Sequence, residues 1–146
     1  MTTKADFTPE EWDLVREGPP TAGMVALMAD KGGSFRETWA LAKSYAEARK
    51  ELGESELLDA LVAEKPDMKR YGSAEELDKT GLGRLREAVV LLEEKATPDE
   101  VAGYKRFVLD VASRVAAAHR EEKESPVSEA ERNAIEKVAA TLNPPA

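Results

Sequence analysis

Residues 97–140 read TPDEVAGYKRFVLDVASRVAAAHREEKESPVSEAERNAIEKVAA, and this stretch decides the fold. Its apolar side chains recur at spacings of three and four, which places them on one side of an α-helix. The stripe comprises Val101, Tyr104, Val108, Val111, Val115 and Ala118, and Phe107 widens it. A stripe of this kind is typical of a packing face. The stretch therefore predicts a long helix, a charged connector and a second helix folded back on the first.

Two short motifs predict where helices begin. Residues 97–100 (TPDE) supply a Thr N-cap, a Pro at the first helical position and a Glu three residues after the cap, which together form a capping box. Residues 8–11 (TPEE) repeat this pattern, and Phe7 can pack on Trp12 as a hydrophobic staple. The sequence thus predicts helix starts at both places.

Gly18, Pro19 and Pro20 are expected to stop the first helix near Glu17. A second helix is then expected to open at Pro20 and to run through TAGMVALMA.

Other capping signals and apolar faces predict the remaining helices. Ser34 and Ser128 each begin a Ser-x-x-Glu box, a short helix covers residues 57–62, and residues 65–83 hold at most two helical turns. Helix resumes at Leu82 or Leu85 and lies antiparallel to the long helix. No stretch alternates with the period of a strand. We expect a single all-α domain, residues 1–146, of six or seven helices, with loose termini at 1–6 and 143–146.

Composition narrows the classes of function. The chain has 146 residues, 42% of them hydrophobic and 34% charged, which suits one globular domain with a sizeable core. Its net charge is −8, and because nucleic acids and anionic membranes attract basic patches, neither is an expected partner. The lack of cysteine excludes disulfides and thiolate sites. With no apolar run of membrane-spanning length and no signal-peptide core in the sequence, a cytoplasmic location is expected.

One pattern occurs twice: an Ala-rich helix end, a polar turn, and Ser-x-x-Glu opening another helix. The first copy covers residues 24–37 and the second covers residues 115–131, which suggests an internal duplication of helix–turn–helix units. At these residues the chain resembles the tellurite-resistance TerB-like helical proteins, whose units run Ala-Asp-Gly and then Ser or Thr and Glu. The first copy departs from that pattern at Lys31, and the second has His119 in the Asp position. A group of uncharacterised bacterial helical proteins has a similar layout.

The resemblance implies an acidic helical bundle, associated with stress response, that binds divalent metal through turn carboxylates. Carried over by position, the candidate ligands are Asp30, Glu37 and Glu131. The residues by themselves also allow plainer roles, since Glu37 and Glu131 each complete a capping box, and a turn Asp commonly bonds its own backbone. His119 is the sole histidine and suits a helix C-terminus.

No phosphate-binding Gly loop, HExxH or GxSxG occurs in the sequence, so no catalytic residue and no organic cofactor is predicted. We therefore expect a non-enzymatic interaction or accessory protein that binds a protein partner or a second copy of itself. Its docking strip would lie along residues 24–28 or on the long helix. The alternative is a divalent-metal-binding stress protein, and an enzyme whose polar residues converge only in three dimensions is a third possibility.

Overall fold

A computed structural model describes residues 4–28, 35–50, 56–63, 73–123 and 129–143. The helices in these ranges are α1 (Pro9–Met28), α2 (Phe35–Arg49), α3 (Glu56–Ala63), the single turn α4 (Ala74–Glu76), α5 (Leu82–Lys95), α6 (Pro98–Lys123) and α7 (Glu129–Leu142). A 3-10 turn, Lys4–Asp6, precedes α1. Six helices are eight residues or longer, and no strand occurs in the described ranges. The predicted all-α single-domain bundle is confirmed.

Capping boxes open α1 and α6 as the sequence predicts. The Thr8 amide donates to Glu11 Oε1 at 2.9 Å, and the Glu11 amide donates to Thr8 Oγ1 at 3.1 Å. Thr97 and Glu100 make the same reciprocal pair, at 3.0 and 3.2 Å. Each box satisfies two backbone donors that have no acceptor within the helix. The boxes predicted at Ser34 and Ser128 fall on residues outside the described ranges.

A cluster around Lys95 joins the start of the chain to the end of α5. The rings of Phe7 and Trp12 lie 5.8 Å apart, as the staple predicts. The Lys95 ammonium lies 5.6 Å from the Phe7 ring centroid and donates to Glu11 Oε1 and to the Asp6 carbonyl, both at 3.0 Å. One cation thus holds three groups of the N-terminal segment.

The prediction that the first helix ends near Glu17 is wrong. α1 continues to Met28 with Pro19 and Pro20 inside it. Proline inside a helix removes a backbone donor and costs about 3 kcal/mol or more. In a regular helix the amide of residue 19 would donate to the Val15 carbonyl, and Pro19 has no such amide.

Tyr104 of α6 replaces the missing donor. Its hydroxyl donates to the Val15 carbonyl at 2.7 Å in a fully buried contact. Burial raises the pKa of Tyr104 well above its ordinary value of 10.0, so the hydroxyl keeps the proton that it donates. Gly18 makes the approach possible, because a Cβ there would lie 2.0 Å from the Tyr104 hydroxyl oxygen. A side chain of α6 therefore replaces the donor that Pro19 removes where the helix passes through Gly18-Pro19-Pro20.

α1 and α6 run parallel at the centre of the bundle. Tyr104 meets α1 at Gly18, and Val111 lies beside Gly23 further along both helices, with its Cγ1 3.4 Å from the position of a Cβ on Gly23. The apolar stripe of α6 is buried as predicted, since its members Tyr104, Val108 and Val111 are all 0% exposed.

The other long helices run against this central pair. In α2, Leu41 lies near Gly23, and the Tyr45 ring lies further along, 5.2 Å from the ring of Phe107, so α2 is antiparallel to α6. In α7, Asn143 accepts a hydrogen bond from Lys105 at 2.9 Å, so α7 ends beside the beginning of α6.

α5 is also antiparallel to the central pair, as predicted. Arg84 pairs with Glu17 at 2.7 Å, whereas Lys95 at the other end of α5 pairs with Glu11. α5 packs mainly on α1 and then on α7.

The segment before α5 is helical without a break. The Glu76 amide donates to Ser73 Oγ at 3.1 Å, and a π-helical segment, Leu77–Gly81, then leads directly into α5. Within this segment Asp78 accepts a hydrogen bond from Lys137 of α7 at 2.6 Å. Gly81 and Gly83 therefore lie inside a helical stretch, and α5 begins at Leu82, one of the two predicted starts.

Candidate functional site

The carboxylates predicted as metal ligands can be placed by element. Asp30 lies outside the described residues. Glu37 is in the first turn of α2 and Glu131 is in the first turn of α7, and only the helix backbone is described there. Because α2 and α7 both run antiparallel to α6, their first turns lie at the same end of the bundle. The metal site itself stays a prediction.

The part of the chain that the structure describes contains no group of three or more His, Asp or Glu side chains that could hold a metal ion. His119 lies in α6, and its side chain is outside what the structure describes. The docking strip predicted at residues 24–28 belongs to the core: Val25 and Ala26 are buried, and Met24, Leu27 and Met28 are half-buried against it.

An open groove of about 420 Å³ lies where α3 and the end of α2 meet α6. This volume is within the range of about 300–1,000 Å³ that is usual for ligand sites. The groove is lined in its described part by Ala48 of α2, by Leu58, Asp59 and Val62 of α3, and by Asp99, Gly103, Arg106, Phe107, Asp110 and Arg114 of α6. We call it the α3–α6 groove.

The floor of the α3–α6 groove is apolar. Leu58 is half-buried, with its Cδ1 3.4 Å from where a Cβ on Gly103 would stand, so α3 packs directly on the α6 backbone. The Phe107 ring is held edge-on by Tyr45, which is 1% exposed. Val62 is buried, and its carbonyl accepts a hydrogen bond from Arg49. These contacts hold the floor in place.

The rim of the α3–α6 groove is charged. Arg114 donates from Nε to Asp110 at 2.9 Å and from Nη1 to Glu47 of α2. Partial burial acts to lower the pKa of Arg114, but the charge of Asp110 and the hydrogen bonds to both carboxylates outweigh it and raise that pKa. Arg114 thus stays cationic and ties α2 to α6 beside the groove.

Acidic side chains outnumber basic ones around the α3–α6 groove. Among the described residues that line it or bind a lining residue, there are four carboxylates and three guanidinium groups: Glu47, Asp59, Asp99 and Asp110 against Arg49, Arg106 and Arg114. None of the described lining residues is a Ser, Cys, Lys or His, so the usual nucleophiles and the imidazole base are missing from them. An apolar floor with a charged rim is the arrangement found at protein-binding surfaces.

The sequence contained a signal for this groove that the apolar stripe obscured. Asp99, Gly103, Arg106, Asp110 and Arg114 recur at spacings of three and four and form a second stripe on α6. Four of these five residues are charged, and such a pattern is typical of a solvated face, so the sequence alone did not separate it from an ordinary surface. The contacts with α3 and α2 are what make it a groove.

None of the helices in the described ranges is both long enough and apolar enough to cross a membrane. Comparisons of the chain with protein-family models, with curated proteins and with solved structures found no match.

Proposed function

We propose that the protein is a non-enzymatic helical binding module, and that the α3–α6 groove takes up a cationic segment with an apolar face from a partner protein. The observation that carries this proposal is the groove itself, with its apolar floor, carboxylate-rich rim and fixed geometry. Elsewhere α6 packs closely on its neighbours, and Tyr104, Val108 and Val111 have no exposed surface.

The floor favours an apolar side chain of the partner. Leu58 and the edge of Phe107 line a concave surface that the core cannot fill, because Phe107 is held by Tyr45 and Leu58 by the α6 backbone. An apolar residue entering the groove gains about 25 cal/mol for each Å² of apolar surface removed from water. It does so without reordering the floor, which keeps the cost of binding low.

The carboxylates around the groove favour a partner segment with basic residues beside its apolar residue. Asp59 and Asp99 lie on opposite walls, one on α3 and the other at the start of α6. The formal charge of −8 extends the attraction beyond the groove and speeds the approach of a cation. Such attraction is screened by salt over about 10 Å at 0.1 M. Binding is therefore expected to weaken as salt is added.

Fluorescence anisotropy with two synthetic helical peptides tests the proposal. One peptide carries leucine on one face and lysine on the other, and its match carries glutamate in place of lysine. The lysine peptide is expected to bind the wild-type chain and the glutamate peptide is not. Leu58→Gln and Asp99→Ser are each expected to weaken binding about tenfold, a loss of about 1.4 kcal/mol.

The matched control is Glu136→Ser, which removes an exposed carboxylate on α7, away from the groove. Circular dichroism of every variant checks that the helices remain. Equal binding of the two peptides, or unchanged binding by Leu58→Gln, would count against the groove as the site. Asp99→Ser also removes a carboxylate that favours the start of α6 by about 0.3–1 kcal/mol, so circular dichroism of this variant separates the effect on binding from any loss of helix.

Divalent-metal binding is the second candidate function, and one observation favours it: the fold brings the first turns of α2 and α7, which carry Glu37 and Glu131, to the same end of the bundle. The stress-related role and the TerB-like resemblance stay predictions beside it. Calorimetric titration with Ca²⁺, Zn²⁺ and Mn²⁺ tests the site on wild type and Asp30→Ala. The site is supported if a metal ion gives heat of binding with wild type and none with Asp30→Ala. It is rejected if none of the three ions gives heat with wild type.

A further inference from the structure

α5 presents a second surface, which lies apart from the α3–α6 groove. Leu82, Leu85, Ala88, Val89 and Leu92 are buried, since they face α1 and α7. The outward stripe consists of Gly83, Arg86, Glu87, Val90, Leu91 and Glu94, at the spacing of one helix face. We call this stripe the α5 face.

Two residues of the α5 face are unfavourable in a single copy of the chain. Val90 is 51% exposed, and every other large hydrophobic side chain in the described ranges is buried or half-buried. A Cβ on Gly83 would meet nothing within 4 Å, so no packing inside the chain requires glycine there. Glycine within a helix costs roughly 0.5–1 kcal/mol relative to alanine. Both features suit a surface that another backbone approaches closely.

The Arg86 and Glu94 charges of the α5 face lie symmetrically about Val90. Arg86 stands four residues before it and Glu94 four residues after it, so all three lie on one row along the helix. If two copies of α5 pack antiparallel around a twofold axis at Val90, Arg86 of each copy faces Glu94 of the other. Glu87 then stands opposite Glu93, a like-charged pair that lies to the side of this row. Parallel packing would instead set Arg86 against Arg86 and Glu94 against Glu94, so the row is complementary to itself in the antiparallel arrangement only.

We propose that the α5 face is a self-association surface, on which a second copy of this chain packs antiparallel, with Val90 against Val90 and Arg86 against Glu94. A twofold contact of this kind uses the same patch on both copies. A single pair of helices buries less than the roughly 1,200 Å² of a standard interface, so the dimer is weak and depends on protein concentration. The proposal does not depend on the function proposed for the groove.

Charge exchange on the full chain tests the arrangement. Arg86→Glu alone and Glu94→Arg alone each set like charges across the axis, and each is expected to abolish dimers. The double variant Arg86→Glu/Glu94→Arg restores opposite charges and is expected to dimerise like wild type. An equimolar mixture of the two single variants is expected to form heterodimers, because every facing pair then has opposite charge.

These exchanges also suit the helix. Glu and Arg have similar helix propensities at position 86, and a guanidinium at position 94, in the last turn of α5, interacts favourably with the helix dipole, so loss of dimer in a single variant does not come from loss of helix. Val90→Ser, which keeps the charges but removes the apolar centre, is expected to weaken the dimer.

Sedimentation equilibrium from low micromolar to millimolar protein measures the result. The proposal is supported if wild type, the double variant and the mixture associate and the single variants do not. It is overturned if wild type remains monomeric throughout, if the single variants dimerise as well as wild type, or if mixing them produces no heterodimer. Peptide binding at the groove is measured on the same samples and is expected to be unchanged.

Discussion

Gly18, Pro19 and Tyr104 act together where α1 packs on α6. Pro19 leaves the Val15 carbonyl without its helical donor, Gly18 leaves room for a ring, and the Tyr104 hydroxyl fills that room and donates at 2.7 Å. Any one of these residues without the others would be unfavourable. A proline inside the helix would leave an acceptor unsatisfied, and a side chain at position 18 would keep the tyrosine away.

Tyr104→Phe is expected to lower the free energy of unfolding by about 1–3 kcal/mol, because it leaves a buried carbonyl without a donor. Urea denaturation measures the change. The control is Thr141→Ala, which removes an exposed hydroxyl that donates to the Lys137 carbonyl at 2.8 Å and should change stability by less than about 0.5 kcal/mol. Equal effects of the two substitutions would contradict the role given to Tyr104.

Gly18→Ala is expected to destabilise the chain by about 3 kcal/mol, at the upper end of the range for overpacking, because the new Cβ would stand 2.0 Å from the Tyr104 hydroxyl oxygen. In the Tyr104→Phe background the same substitution should cost less, since the nearest remaining ring atom is 3.0 Å away. A double-mutant cycle with urea denaturation measures this coupling. Gly83→Ala, at a position with open space, is the control and should stabilise the monomer. Strict additivity of the two substitutions would argue against the contact.

At the scale of elements, the cluster around Lys95 joins the start of α1 to the end of α5. Glu11 completes the capping box of α1 and accepts a hydrogen bond from Lys95 at 3.0 Å. The hydrogen bond from the Thr8 amide, followed by the one from Lys95, lowers the pKa of Glu11 below its ordinary 4.5. The carboxylate is thus bound more tightly when it is ionised than when it is protonated.

Acid should therefore release this junction. Since the folded pKa of Glu11 lies below the unfolded value, its contribution to stability is complete above pH 4.5 and is lost as pH falls through the lowered value. When the pH is lowered from neutral to about 3, we expect the free energy of unfolding to fall less in Glu11→Gln than in wild type. Urea denaturation at both pH values measures this fall. Glu10→Gln, in the same turn, is the control. An identical pH dependence in wild type and Glu11→Gln would show that the charge of Glu11 contributes nothing.

At the scale of the whole molecule, the central pair of α1 and α6 separates two surfaces. α3 packs on α2 and α6 and forms the groove, whereas α5 packs on α1 and α7 and presents the α5 face. Because none of the residues described by the structure lines both surfaces, substitutions at Leu58 and at Val90 should have additive effects on stability. A chain that binds a partner on one side and a second copy on the other would present two partner sites at once, which strengthens attachment to a repeated target.

The features that the sequence determined by itself depend on residues within a few positions of each other. The capping boxes at residues 8–11 and 97–100 form between neighbours three residues apart, and the α6 stripe follows from helical spacing alone. Local chemistry of this kind acts before any tertiary contact exists, so the helix starts and the all-α class could be read directly.

The features that only the tertiary structure decided depend on distant residues. Where α1 continues through Gly18-Pro19-Pro20, the donor that Pro19 removes is replaced by Tyr104, which is 89 positions away from Val15 in the chain. The α3–α6 groove likewise needs α3 to pack at Gly103 and Glu47 to bind Arg114. The local sequence of Gly18-Pro19-Pro20 and of the charged stripe on α6 does not show whether such distant residues will contact it. The packing of the bundle brings those residues into place.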